Sequence, residues 1–269
     1  MATGMDDTRR VKIGESATYL YCAVRAGRRP TLKRGVRGLP AAEPPRVLDI
    51  GARLWLAVAT VPVAQYGTAP IERRLQDLDW VSRCAMAHEA VVEDAARSGP
   101  VVPMKLFTLF SSDERAVAHI VRIRKKLAGL FELVAGREEW GVRVSVDERL
   151  AARRRAEVAR PARTASGTGF LLGKKAEKDA VRLAIEEALS EGERIFGELA
   201  GSAVDARRRT PVQSNTAIRV VLDAAFLVPE KQARTFRKAV AAQAKSRGDA
   251  YDVALTGPWP PYNFVSEPA

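Results

Sequence analysis

The sequence predicts an α+β fold in two halves, each an α+β domain with an antiparallel or mixed sheet. Two observations carry that prediction. Short alternating or β-branched segments are interspersed with longer stretches of three- and four-residue apolar periodicity. A basic, small-residue stretch over 149–169 separates the halves. The expected layout is a disordered N-terminus over 1–16, an N-terminal domain over 17–148, a linker over 149–169, and a C-terminal domain over 170–265.

Thr18–Val24 alternates and is rich in aromatic and β-branched residues, so it reads as a strand. A long basic connection with proline and glycine runs from Arg25 to Pro45. Val47–Ile50 and Leu54–Val61 flank Gly51-Ala52-Arg53 and read as a hairpin. Ile71–Ala96 reads as one helix, with a stripe of Leu78, Val81, Ala85, His88, Val92 and Ala95. Ser98-Gly99-Pro100 stops it. Val101–Phe110 reads as an apolar strand. Ser111-Ser112-Asp113 offers the cap of a second helix that reaches about Leu133. Trp140–Val146 alternates as a further strand.

In the second half, Phe170–Leu199 reads as a long helix with a stripe of Val181, Ile185, Ala188, Leu189, Ile195 and Leu199. A polar basic turn follows. Ala217–Val228 suits two short strands or one bent one. Pro229 can open a helix that runs to about Lys245 and buries Phe236 and Val240. Tyr251–Leu255 reads as an edge strand that enters an extended tail. Three prolines and a glycine bar Gly257–Pro261 from continuing a helix. Trp259, Tyr262 and Phe264 each have a large apolar surface to bury. The tail is therefore expected either as a lid on the second domain or as a contact for a partner.

Composition bounds the function. Lys and Arg number 44 against 32 Asp and Glu, a net charge of +12. Acidic proteins, nucleic acid or anionic surfaces are the partners that such a charge favours. Tyr19 and Tyr21 alternate with Leu20 and Cys22, which would place two rings on one sheet face. A basic RNA-binding α+β protein is accordingly the alternative reading. No apolar stretch reaches the roughly 20 residues needed to span a bilayer. Met1–Glu15 lacks the apolar core of a secretory signal, so cytoplasmic residence without a membrane partner is expected.

The residues that could carry chemistry do not assemble into a known pattern. His88-Glu89 lacks the second histidine of a zinc helix, since Val92 holds that position. Cys84 and His88 share a helix face, but no third group orients them. Gly167-Thr168-Gly169 and Gly173-Lys174-Lys175 fail the phosphate-loop pattern, with lysine where serine or threonine is needed. Cys22 and Cys84 read as ordinary thiols. No enzyme activity, cofactor or metal site is expected.

A set of short segments recurs in one order. They are Thr18-Tyr19-Leu20-Tyr21; Ala57–Pro62; Leu78-Asp79-Trp80 leading to Ala87-His88-Glu89-Ala90-Val91-Val92-Glu93; and Val101-Val102-Pro103 to Thr108-Leu109-Phe110. After these come Glu139-Trp140-Gly141-Val142-Arg143-Val144, Gly167–Leu171, Ala224-Ala225-Phe226-Leu227-Val228, and the tail Leu255–Val265 with its Thr-Gly-Pro-Trp-Pro-Pro-Tyr run. In this the chain resembles the gas vesicle accessory proteins of the GvpL/GvpF family, from about Thr18 to Val265. Two departures stand out. Leu106-Phe107 occupies the place of the family's Phe-Gly pair, and the basic Arg25–Arg37 insertion is longer than usual.

The resemblance implies two α+β domains, at least one of them ferredoxin-like. It implies a non-enzymatic protein needed for gas vesicle formation, which binds the small hydrophobic shell protein, assists or nucleates its assembly, and works with other accessory proteins on the shell. The motif positions offered as structural or interface residues are Trp80, His88, Glu89, Pro103, Trp140, Phe226, Gly257, Pro258, Trp259, Pro260, Pro261, Tyr262 and Phe264.

Overall fold

The computed structural model describes residues 15–158, 169–211 and 217–265. The fold is α+β, with two antiparallel sheets. One unit comprises the chain up to Gly136 together with the residues from Trp259 onward. The other is Arg137–Pro258.

The first sheet is built on β1 (Ser16–Arg25), a ten-residue strand buried on both faces. It pairs antiparallel with β3 (Leu54–Pro62), which pairs in turn with β2 (Arg46–Asp49). On its other side β1 meets β4 (Val101–Pro103) and β5 (Leu109–Phe110). The β2–β3 turn puts Gly51, Ala52 and Arg53 all at positive φ, and Asp49 Oδ1 accepts the Gly51 N–H at 2.9 Å.

Two short helices, α1 (Val63–Tyr66) and α2 (Thr68–Arg74), lead to α3 (Leu78–Ala96). After β5 come α4 (Asp113–Arg122) and α5 (Arg124–Val134). Helix α3 covers one face of the sheet, with Trp80, Cys84, Val91 and Val92 against Tyr19, Tyr21, Ala57 and Ala59. Helices α4 and α5 cover the other, with Ile120, Leu127 and Phe131 against Leu20, Leu56 and Val58. Burial on both faces explains why Leu54–Val61 reads as a nearly continuous apolar run.

In the second unit, β6 (Arg137–Asp147) is followed by α6 (Glu148–Val158), α7 (Gly169–Ala200) and β7 (Asp205–Arg208). Then come β8 (Ile218–Pro229), a 3₁₀ turn over Glu230–Gln232, α8 (Ala233–Lys245) and β9 (Tyr251–Trp259). The sheet order is β7-β8-β6-β9. Helices α7 and α8 place Ala188, Ile195, Leu199, Phe236 and Val240 on Trp140, Val142, Val144 and Phe226. Elsewhere on this sheet Asp223, 5% exposed, takes Arg143 at 2.8 Å and Arg209 at 2.7 Å.

Several expectations are corrected. The helix read over Ile71–Ala96 is two, because the Asp77 side chain accepts the Trp80 N–H at 2.9 Å and starts α3 afresh. This cap leaves Leu78 78% exposed in the first turn. The buried stripe instead runs through Trp80, Cys84, His88, Val91 and Ala95. The strand read over Val101–Phe110 is two short pieces, and the helix after Ser112 breaks at Ile123.

The strand Trp140–Val146 belongs to the second sheet, where β8 pairs along its whole length, so the first unit ends at Gly136 and not at 148. Residues 149–158 of the expected linker are helical, and the rest up to 168 lies outside the described residues. The basic turn hides a strand, β7. Of the two readings of Ala217–Val228, the single strand is the one found, with a register shift opposite Val144/Ser145. The tail beyond Trp259 belongs to the first unit, not the second. The short helix α9 (Tyr262–Val265) ends the described chain.

Candidate functional site

The central strand decides where the motif residues meet. Between Leu20 and Cys22 the pairing with β3 skips a residue, leaving Tyr21 as the extra one. Such a bulge reverses the in-and-out alternation downstream. Tyr19 and Tyr21 therefore share a face with Cys22, not opposite it, and that face lies under α3. Both tyrosines are fully buried. The exposed aromatic face that an RNA-binding sheet requires is thus absent from β1.

Three other elements converge on these rings. Helix α3 brings His88 and, two turns earlier, Trp80. The link between β4 and β5 brings Phe107. The closing segment brings Tyr262. Tyr19 Oη lies 2.7 Å from His88 Nδ1 and accepts the Phe107 N–H at 3.2 Å. Either atom of this pair can carry the shared proton, according to the His88 tautomer. The His88 ring centroid is 5.7 Å from that of Tyr19, 5.6 Å from Tyr21 and 6.0 Å from Tyr262. Trp80 and Phe107 stack at 5.2 Å with 8° between their planes.

Burial holds Tyr19, Tyr21, His88 and Cys84 neutral. Burial pushes Tyr21 up to about 12, against a smaller opposing pull from the Leu39 N–H. Burial also raises Tyr19 well above the usual phenol range. It lowers His88 to about 4, partly offset by the Met104 backbone. The Cys84 thiol is likewise raised by burial and lies 3.9 Å from Tyr66 Oη. A thiol so placed is no nucleophile, and an imidazole engaged with Tyr19 is no base for it. The described residues contain no cluster of three or more His, Cys, Asp or Glu able to hold a metal ion. What this arrangement can do chemically is fix structure.

The motif positions divide between the units. Trp80, His88, Pro103, Tyr262 and Phe264 lie in the first, and Pro103 faces Cys22 across the β1–β4 pair. Pro260 and Pro261 are buried and lead into Phe264, which is 1% exposed. Glu89 is half-buried beside the cluster, and burial, followed by Glu93, raises its carboxyl. Trp140 and Phe226 pair across β6 and β8 in the second unit, where Trp140 Nε1 donates to Glu138 at 3.2 Å. Gly257 and Pro258 close β9, with Gly257 at φ 116°.

No pattern in the sequence marks Tyr19 as the hub, or Phe107 as a ring partner. The exposed large apolar residues include Leu78, Met86 at 67% exposed and Trp259 at 37%. Strand β9 forms one edge of its sheet. Among the described residues no helix is long and apolar enough to cross a membrane.

The chain matches known proteins along most of its length. The family described as "Gas vesicle synthesis protein GvpL/GvpF" matches residues 17–266. A Streptomyces sp. (strain CB03234) protein named "Gas vesicle protein L" is 30% identical over 252 residues, 92% of each chain. The crystal structure of GvpF from Anabaena sp. PCC7120 superposes with a TM-score of 0.68 at 17% identity, covering 94% of this chain and 98% of that one. GvpF from Microcystis aeruginosa gives 0.64 at 16%, over 93% and 99%. At those identities the two structures speak for the fold, and the family match and the Streptomyces relative speak for kinship. The chain belongs to the GvpL/GvpF family of gas vesicle proteins.

Proposed function

We propose that this protein is a non-enzymatic accessory factor of gas vesicle formation that binds the small hydrophobic shell protein and assists or nucleates its assembly. Membership of the family over residues 17–266 carries the reading. Two physical features support it. A shell subunit must expose apolar surface and unpaired strand edges before it polymerises, which invites aggregation. Strand β9, nine residues at a sheet edge, offers backbone groups for strand addition. Leu78 and Met86 offer exposed apolar contacts on α3 for an amphipathic helix. The net charge of +12 speeds capture of acidic partners in a salt-dependent way. Other accessory proteins are partners on the same reading, and the growing shell in the cytoplasm is the place of action. The strand order β7-β8-β6-β9, with helices after the first and third strands, supports reading the second unit as ferredoxin-like.

The test is deletion of the gene in a vesicle-forming host, with intact vesicles counted by electron microscopy. Loss of vesicles, restored by the Thr18–Val265 body, is the expected result. Unchanged vesicle number and shape would overturn the proposal. Binding of purified shell protein should weaken between 0.1 and 1 M salt, on the order of tenfold; no change removes the charge contribution.

A further inference from the structure

We propose that the second unit carries a binding site for a small organic anion, a carboxylate or phosphate on a short apolar body, in the cavity bounded by α6, α7 and the α8–β9 turn. The site is independent of the shell-binding proposal. The cavity holds about 420 Å³, within the range of small-molecule pockets. The methyl groups of Ala151, Ala184 and Ala250 and the ring of Tyr251 give it an apolar wall, and Arg154, Arg155 and Arg247 give it cations.

Arg247 is the telling residue. Its side chain is only 4% exposed. Nη1 donates to the Gln243 carbonyl at 2.6 Å and to Ser246 Oγ at 2.9 Å. Nε is buried with no acceptor, and Nη2 has only its ion-pair contact with Glu191 and no hydrogen bond. The Nε and Nη2 hydrogens form the edge of a guanidinium that grips a carboxylate or phosphate with two parallel bonds. Here that edge is half filled, and a buried N–H left unfilled is costly. An oxyanion seated at Nε would complete it.

The remaining cations are positioned to help. Arg154 is paired with Asp249 and Arg155 with Glu187, and both guanidiniums are partly exposed. An entering anion can take either of them while the displaced carboxylates, 71% and 61% exposed, return to water. Glu187 lines the cavity and Glu191 is paired with Arg247; their charge sets the limit on the ligand: a group that brings one or two negative charges fits, and a polyanion is repelled.

The experiment titrates benzoate, phenyl phosphate and the neutral control p-cresol into the full chain by calorimetry and heteronuclear NMR. Saturable one-site binding of at least one anion, with shifts at Ala250 and Tyr251 and none from p-cresol, is expected. Tighter phenyl phosphate assigns a phosphate ligand; tighter benzoate assigns a carboxylate. Arg247→Lys keeps the charge and loses the fork, so affinity should fall at least tenfold. Arg154→Ala alters an exposed head and should weaken binding a few-fold with an unchanged melting temperature, which decides the matter if Arg247→Lys fails to fold. No saturable binding of either anion overturns the site. So does equal affinity in wild type and Arg154→Ala together with every folded Arg247 variant.

Discussion

Phe107 sits at φ 64°, the left-handed region that glycine occupies freely and a side-chain-bearing residue enters at a cost of about 1–2 kcal/mol. The stack on Trp80 and the N–H bond to Tyr19 offset that cost. The two contributions can be separated. Phe107→Ala keeps the strain and loses the ring, whereas Phe107→Gly loses both. Denaturant melts should therefore rank wild type above glycine and glycine above alanine, the last two apart by about 1 kcal/mol. Alanine matching or exceeding glycine would show that the backbone is unstrained there. The Leu106-Phe107 departure was legible in the sequence. The sign of φ was not, because a phenylalanine gives no hint of a left-handed turn.

His88 makes a pH prediction at the same scale. Its pKa falls from the ordinary 6.5 to about 4 on folding, so between those values the unfolded chain binds more protons. Stability is then complete above pH 6.5 and is lost as pH falls toward 4, by up to about 3 kcal/mol from this residue. His88→Gln, which has no proton to gain, should flatten that slope in denaturant titrations at pH 4.5, 5.5 and 7; an unchanged slope would assign the loss to other groups.

At the scale of elements, two glycines of α7 make opposite predictions. A Cβ at Gly192 would lie 2.7 Å from the Val221 carbonyl oxygen, so the helix approaches β8 closely there. Gly192→Ala should cost about 1–3 kcal/mol through overpacking. Gly197 has nothing within 4 Å of its would-be Cβ. Gly197→Ala should stabilise by about 0.5–1 kcal/mol through helix propensity. Thermal melts of the two variants check both signs.

Long periodic elements such as α7 and α8 were legible in the sequence because an apolar stripe survives any choice of partner. The breaks were not. Asp77 and Ile123 interrupt helices without proline or glycine, one through a side-chain cap and the other through local backbone geometry. Strand β7 was hidden because its residues are mostly arginines and an aspartate. Their charges are satisfied across elements, as where Arg208 pairs with Glu193 of α7 and lies 3.9 Å over the Phe196 ring.

For the molecule as a whole, the division into units is what sequence pattern could least supply. The alternation of Trp140–Val146 is the same whichever sheet receives it, and only the pairing with β8 assigns it. The aromatic tail was legible as a segment that must bury its rings, but its destination was not. Phe264, 1% exposed, should cost about 3–5 kcal/mol as Phe264→Ala. Trp259, 37% exposed, should cost about 1 kcal/mol or less as Trp259→Ala. If Trp259→Ala instead unfolds the protein, the ring is structural and not a free surface; if it leaves stability intact and abolishes shell binding, the ring is a contact.

The return of the chain at Trp259 also sets an order in time. Residues 137–258 form one unit, and the other is built from the segments on either side of them. On the ribosome the N-terminal part of a chain usually finishes folding first. Here Tyr262, Phe264 and Val265, which pack into the first unit, leave the exit tunnel only after the whole of the second has emerged. The unit begun first is completed last, and until then the surfaces beside His88 and Tyr19 that Tyr262 covers stay open to whatever is nearby in the nascent state.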